Sequence, residues 1–237
     1  MIVLSGDDVD ANTEVIALFQ DAGFVSIPSL DARMPLSGEN EIELCTEGES
    51  VMSTTAVEIP GYVAGTFTID PGHSDVAFTV RHLMVSKVRG HFTRFQGELI
   101  LAPDPLASQV TATIELASID TNNPQRDDDL RSANFFEIDT YPTMTFRSVG
   151  IRHSEDGFDV DGELTLHGVT RPVTLALDVN GFTRDPYGGT RAGFSATTEL
   201  NRGDFGISAN IPMDGGGVVI GDRIQFFLEI EAILNPP

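Results

Sequence analysis

From Gly65 onward, apolar and polar residues alternate with a period of two. Val76, Phe78 and Val80 are interleaved with Asp75, Ala77, Thr79 and Arg81, and Val110, Ala112, Ile114 and Leu116 with Thr111, Thr113 and Glu115. The pattern returns at Leu164 and Leu166, at Val173, Leu175, Leu177 and Val179, at Phe194, Ala196 and Leu200, and at Ile224, Phe226, Leu228 and Ile230. Alternation of this kind puts one set of side chains on a covered face and the other in water, as in the antiparallel strands of an all-β fold. Turn formers punctuate the runs: Ala102-Pro103-Asp104-Pro105, Asp156-Gly157, Asp185 to Gly189 and Asp214 to Gly217. Strands are expected near 66–70, 74–82, 89–101, 108–118, 142–152, 158–167, 170–181, 190–201 and 222–234. About eight long strands with a short leader favour a closed barrel, because closure removes exposed edges. A two-sheet sandwich would show the same alternation, but strands longer than the usual five or six or so residues point to an elongated barrel.

Helix is scarce. Asn123-Pro124 pairs an N-cap with a proline at the first helical position, and Gln125 to Ser132 can form about two turns. Asp127, Asp128 and Asp129 suit the first-turn dipole, and Arg126 and Arg131 can pair with them locally. Leu130, Phe135 and Phe136 would then face inward, with the helix across one barrel end. Leu83 to Lys87 is read as a second helical turn, and His167 to Pro172 as a tight hairpin connection with Pro172 opening the next strand.

The chain divides near residue 52. Residues 1–51 hold 11 acids and one base, Arg33, for a net charge of −10, against −12 for residues 52–237. Ile2-Val3-Leu4, a helical pattern over Asn12–Ala22 and Phe24–Ile27 make a small βαβ-like unit, followed by an acidic tail from Glu39 to Ser50. Such a unit cannot form a core alone. Two readings stay open: an unpacked appendage, or an upstream extension of a chain whose natural start is Met52. LSGDDVDANTEVIALFQDAGF, within residues 1–30, is similar to a fragment of the F420-dependent NADP reductase family. It lacks the GxGxxG loop, so no dinucleotide site is carried over.

Charge narrows the function classes. The 237 residues carry 14 bases and 36 acids, a net of −22, which disfavours a phosphate backbone as partner. No transmembrane run and no signal peptide are visible, so a cytoplasmic protein is expected. The single cysteine, Cys45, excludes an internal disulfide and any cysteine metal cluster. One run opposes the global sign: residues 81–94 hold Arg81, Lys87, Arg89 and Arg94 with His82 and His91 and no acid. It can be a collar for an anionic headgroup or an outward face paired with acids elsewhere. Strand parity sends Arg81 outward and His82 inward or to a rim.

The order and content of the motifs resemble the YceI-like family over about residues 65–234. They are DPGHS at 70–74, VRHLMVSKVRGHF at 80–92, SIDTNNPQRDDDLRSANFF at 118–136, YPTMTFRS at 141–148, GELTLHGVTRP at 162–172, NRGDFGI at 201–207 and GDRIQFFLEIEA at 221–232. The departures are Asn134, where the family usually has an acid, and Phe67 and Tyr187, where tryptophan is common. The resemblance implies an extended, lipocalin-like antiparallel barrel that binds a polyisoprenoid lipid or isoprenoid quinone as carrier or store, without chemistry and without a further cofactor. The expected lining is Phe78, Val80, Phe92, Ile114, Leu116, Leu130, Phe135, Phe136, Phe146, Leu164, Leu166, Phe194 and Phe226, with His82, Lys87, Arg89 and Arg131 as headgroup candidates. The second reading is an enzyme acting on an isoprenoid or other small apolar substrate. Read without the family, the same apolar set is an ordinary filled core, which makes a structural module the third. His73-Ser74 is a poor catalytic pair because adjacent side chains on an extended segment diverge, no GxSxG elbow occurs, and no metal spacing joins the histidines. A homodimer is compatible with the sequence.

Overall fold

The computed structural model describes residues 58–210 and 219–236. The N-terminal unit expected over residues 1–51 and the Asp214–Gly217 turn lie outside them. Eleven strands follow in chain order: β1 (Gly65–Ile69), β2 (Asp75–His82), β3 (Ser86–Phe92), β4 (Phe95–Leu101), β5 (Gln109–Glu115), β6 (Ile119–Asp120), β7 (Thr143–His153), β8 (Phe158–Leu166), β9 (Val169–Arg184), β10 (Thr190–Asn201) and β11 (Ile220–Leu234). One α-helix, α1 (Pro124–Arg131), separates β6 from β7.

The ladder runs β1-β4-β5-β7-β8-β9-β10-β11 and returns to β1, so eight antiparallel strands form a closed barrel. Closure rests on Phe67 opposite Leu234, Thr68 opposite Ile233 and Ile69 opposite Ala232. Lower on the same edge of β11, Phe226 faces Phe78 and Leu228 faces Val76, so β2 continues where β1 stops. β3 and β6 extend the sheet from β2. The early strands are therefore long strands broken once each. Asp70 makes the first break by accepting the Gly72 N–H after Pro71. The second falls at Thr93-Arg94, beside the 3-10 turn Leu116–Ser118, where Ser118 Oγ donates to the Glu115 carbonyl at 2.6 Å.

Three local expectations are corrected. The stretch 89–101 is two strands, because the wall bends at Thr93-Arg94. Leu83 to Val85 is a three-residue turn that leads into β3 at Ser86, with His82 opposite Ser86; left-handed backbone at Leu83 and Met84 rules out a right-handed helical turn. Pro172 lies inside β9, opposite Glu163, where the pairing of β9 with β10 has not yet begun (it starts at Ala176–Thr197). An unpaired edge tolerates the missing N–H. The capped helix is as expected: Asn123 accepts the Arg126 N–H at 3.0 Å with Pro124 at the first position.

Glycines let aromatic rings lie flat on the inner wall. Gly90 faces Phe78 across the β2–β3 ladder, and a Cβ there would sit 2.6 Å from the Phe78 ring. At Gly162 on β8 a Cβ would come within 2.3 Å of Phe146. Rings resting on bare backbone leave the middle of the barrel free. Gly162→Ala should therefore cost about 1–3 kcal/mol through overpacking. Gly150→Ala, where a Cβ meets nothing within 4 Å, should stay within about 0.5 kcal/mol of wild type. Chemical denaturation midpoints of the two variants check the contrast.

Candidate binding cavity

Two apolar chambers follow one another inside the wall. The deep one, of roughly 170 Å³, is lined by residues such as Ile114, Phe146, Leu164, Phe194 and Ala196 from β5, β7, β8 and β10. The outer one, of roughly 580 Å³, is lined by Phe78, Val80, Phe92, Phe136 and Leu166, with α1 along one side. Leu200 and Phe226 line both, so the chambers adjoin there. A row of rings runs along the outer chamber: Phe226 to Phe78 at 6.1 Å, Phe78 to Phe92 at 5.7 Å and Phe92 to Phe136 at 6.4 Å between centroids. Polar groups gather at its outer end, where the exposed Arg81, Asn123, Gln125 and Asp129 reach the rim.

The side of the outer chamber formed by α1 has little grease to hold it. Of the helix's eight residues only Leu130 is a large apolar one. Polar staples fix it instead. Asp127 is buried and accepts the Thr121 N–H at 3.0 Å and the Thr121 hydroxyl at 2.5 Å. Arg126 donates to the same hydroxyl at 2.7 Å and to the Thr121 carbonyl at 2.8 Å. Across the chamber, Arg202 is buried and spends its guanidinium on the carbonyls of Ile207, Ala209 and Gly221 and on Asp222 at 3.0 Å. That clamp folds the NRGDFGI segment so that Phe205 and Ile207 face the chamber. Burying a guanidinium costs much unless its donors are met, and here they are met by two carbonyls five and seven residues on and by Gly221 and Asp222 of β11.

Of the residues expected to line the interior, Phe78, Val80, Phe92, Leu130, Phe135, Phe136, Leu166 and Phe226 line the outer chamber, and Ile114, Phe146, Leu164, Phe194 and again Phe226 the deep one. Leu116 lines neither: it is fully buried in the 3-10 turn that bends the wall. His82 borders the outer chamber. The other three headgroup candidates do not border it. Arg131 staples α1 to the Ala117 and Ile119 carbonyls at 2.9 and 2.7 Å and pairs with Asp128. Lys87 and Arg89 share the outward phase of β3, away from the cavity. Phe205, Ile207 and Arg202 were not expected in the lining; the NRGDFGI motif marked their segment, but its alternation is broken and gave no inward phase.

The His73-Ser74 pair is occupied with the bend after β1. His73 Nδ1 lies 2.8 Å from Asp70 Oδ2, and Ser74 Oγ donates to the Asp70 carbonyl at 2.7 Å. Asp70, His73 and Glu231 bring ligand atoms within 4.8 Å of one another, but a cation already sits among them. Arg191 Nη1 donates to Asp70 at 2.9 Å and to Glu231, and its Nε donates to Asp185 at 3.0 Å. The hydrogen bonds from His73 and then from Arg191 pull the Asp70 carboxyl down to about 2. The cluster ties β1, the β9–β10 turn, β10 and β11 together beside the closure, and does the work of a fastener.

Comparison with known proteins places the sequence. The family model described as "YceI-like domain" matches residues 67–232. A UPF0312 protein of Vibrio cholerae is 39% identical over 148 residues, covering 61% of this chain and 78% of that protein. Among solved structures, a YceI protein of Campylobacter jejuni superposes with a TM-score of 0.54 at 26% identity, covering 66% of this chain and 90% of that one. A polyisoprenoid binding domain from Saccharophagus degradans, implicated in plant cell wall breakdown, superposes with a TM-score of 0.55 at 16% identity, covering 73% and 100%.

The fastener has a pH signature. Asp70 titrates lower folded than the usual unfolded value near about 3.9, so its contribution is complete above about pH 4 and is lost as pH falls towards about 2. Thermal unfolding followed across that interval should show the midpoint falling with acid. Asp70→Asn should start from a lower midpoint at neutral pH and flatten that part of the profile.

Proposed function

The chain belongs to the YceI-like family, and on that footing we propose that its barrel holds the hydrocarbon tail of a polyisoprenoid lipid or isoprenoid quinone, as carrier or store. The carrying observation is the succession of two apolar chambers that adjoin at Leu200 and Phe226, with charged side chains among the described residues bordering the outer one and not the deep one. A tail can lie along both chambers while its headgroup stays at the rim near His82, Arg81 and Arg126. The name of the Saccharophagus degradans neighbour, a polyisoprenoid binding domain, supports this choice of ligand. Burial of each methylene contributes about 0.8 kcal/mol, so a single five-carbon unit supplies a few kcal/mol without a hydrogen bond. Shape and length select such a ligand.

The reading is of a binding protein that works in the cytoplasm, with the domain from 52 to 237 as the binding unit, residues 1–51 as an appendage and no cofactor beyond the lipid. A catalytic reading has less support, because His73 and Ser74 are engaged with Asp70. A filled structural barrel is disfavoured by the outer chamber's roughly 580 Å³, a volume in the range of small-molecule sites.

Organic extraction of the purified protein, or of protein incubated with an isoprenoid quinone, followed by mass spectrometry should yield about one isoprenoid per chain. Ala196→Phe, which plugs the deep chamber, should weaken retention of a long tail at least about tenfold, the worth of two excluded methylenes. Absence of isoprenoid in both preparations would refute the proposal.

A further inference from the structure

The β2–β3 hairpin puts grease where water should be. Its loop, Leu83-Met84-Val85, is 37%, 56% and 84% exposed. Leu83 and Met84 both adopt left-handed backbone, with φ of 51° and 60°, a conformation that glycine or asparagine would take at lower cost. The sequence spends large apolar side chains on a strained, solvated tip.

Below the tip the outward face is cationic. Arg81 stands directly opposite Lys87, and Arg89 opposite Thr79, on the water side of the ladder. Like charges directly opposite destabilise a strand pair. Among the described residues no carboxylate forms an ion pair with any of the three; Lys87 reaches only the Gln225 amide oxygen at 3.4 Å. The neighbouring acid, Asp222, is held by Arg202, and Arg94, the fourth base of the run, is held by Glu115 at 2.6 Å. In a chain of net charge −22, three unpaired cations beside an apolar tip form a local surface complementary to negative charge over hydrocarbon. The root of the same hairpin, Val80, Arg81, His82 and Val88, borders the outer chamber.

We propose that this hairpin docks on an anionic lipid surface, its apolar tip in the headgroup boundary and Arg81, Lys87 and Arg89 against lipid phosphates. Such an interface combines buried apolar area with attraction to anionic lipid. Docking would set the rim of the outer chamber against the bilayer. The inference deepens the cargo reading by naming where cargo is exchanged, and rests on that reading for its purpose alone.

The test is co-sedimentation of the full chain with vesicles of phosphatidylcholine alone or with about 30% phosphatidylglycerol. Wild type should bind the anionic vesicles at least about tenfold better, and lose most of that binding in about 0.5 M salt. Met84→Ser with Val85→Ser should weaken binding about tenfold or more, and Lys87→Glu with Arg89→Glu about twentyfold or more, at roughly fivefold per charge. Both variants should keep the wild-type melting temperature and the capacity to take up added isoprenoid quinone. Equal binding of wild type to the two vesicle types, or binding that neither variant alters, would overturn the proposal. So would a solution dimer that the Met84→Ser, Val85→Ser variant splits, which would give the tip to a second copy of the chain. Vesicle binding by protein that takes up no isoprenoid would support the docking surface while refuting the cargo reading.

Discussion

One edge of β11 is hydrogen-bonded to two successive strands, and the architecture follows from that double pairing. Its C-terminal part meets β1 and closes the barrel; its N-terminal part meets β2 and carries the sheet onward to β3 and β6. An eight-stranded ring is only just wide enough for its own side chains to fill or for one small ligand. Which outcome prevails depends on how the inner residues lie. Here Phe78 and Phe146 rest on Gly90 and Gly162, so two of the largest inner groups hug the wall.

A hollow interior has an energetic consequence. Side chains that border a cavity lack partners on one side and lose dispersion contacts there, so the pieces that cover it need another source of order. In this chain that source is polar and short-range. The Asp127–Thr121–Arg126 network, the Arg131 staple and the Arg202 clamp each join a side chain to backbone groups within about a dozen residues or across one strand contact. Each has its partners in place, which is the condition under which a buried charge is tolerated. The Arg191 cluster supplies the corresponding order beside the closure.

The strands were legible because period-two burial is a property of consecutive residues. Val76, Phe78, Leu164, Leu166 and Phe226 point inward as their alternation predicts. The breaks at Thr93-Arg94 and Leu116–Ser118 were not legible, since they arise where two distant segments bend together. The cations show the same division. Parity gave the outward direction of Arg81, but the roles of Arg131 and Arg202 depend on carbonyls brought near by tertiary folding, which leave no local pattern. Lys87 and Arg89 follow their strand phase outward, the second of the two readings open to that basic run. The alternation also could not separate a filled from an open bore: phenylalanine fits either, and the difference lies with glycines on neighbouring strands.

A lipid tail can enter this barrel only if the bore is open and dry at its deep end. Crystals of protein stripped of lipid by refolding, pressurised with xenon, test it directly, because apolar cavities of about 150 Å³ take up such guests. A xenon peak is expected among Phe146, Leu164, Phe194 and Ala196, without movement of the wall. A crystal structure in which those side chains meet across the bore, with no xenon between them, would contradict it.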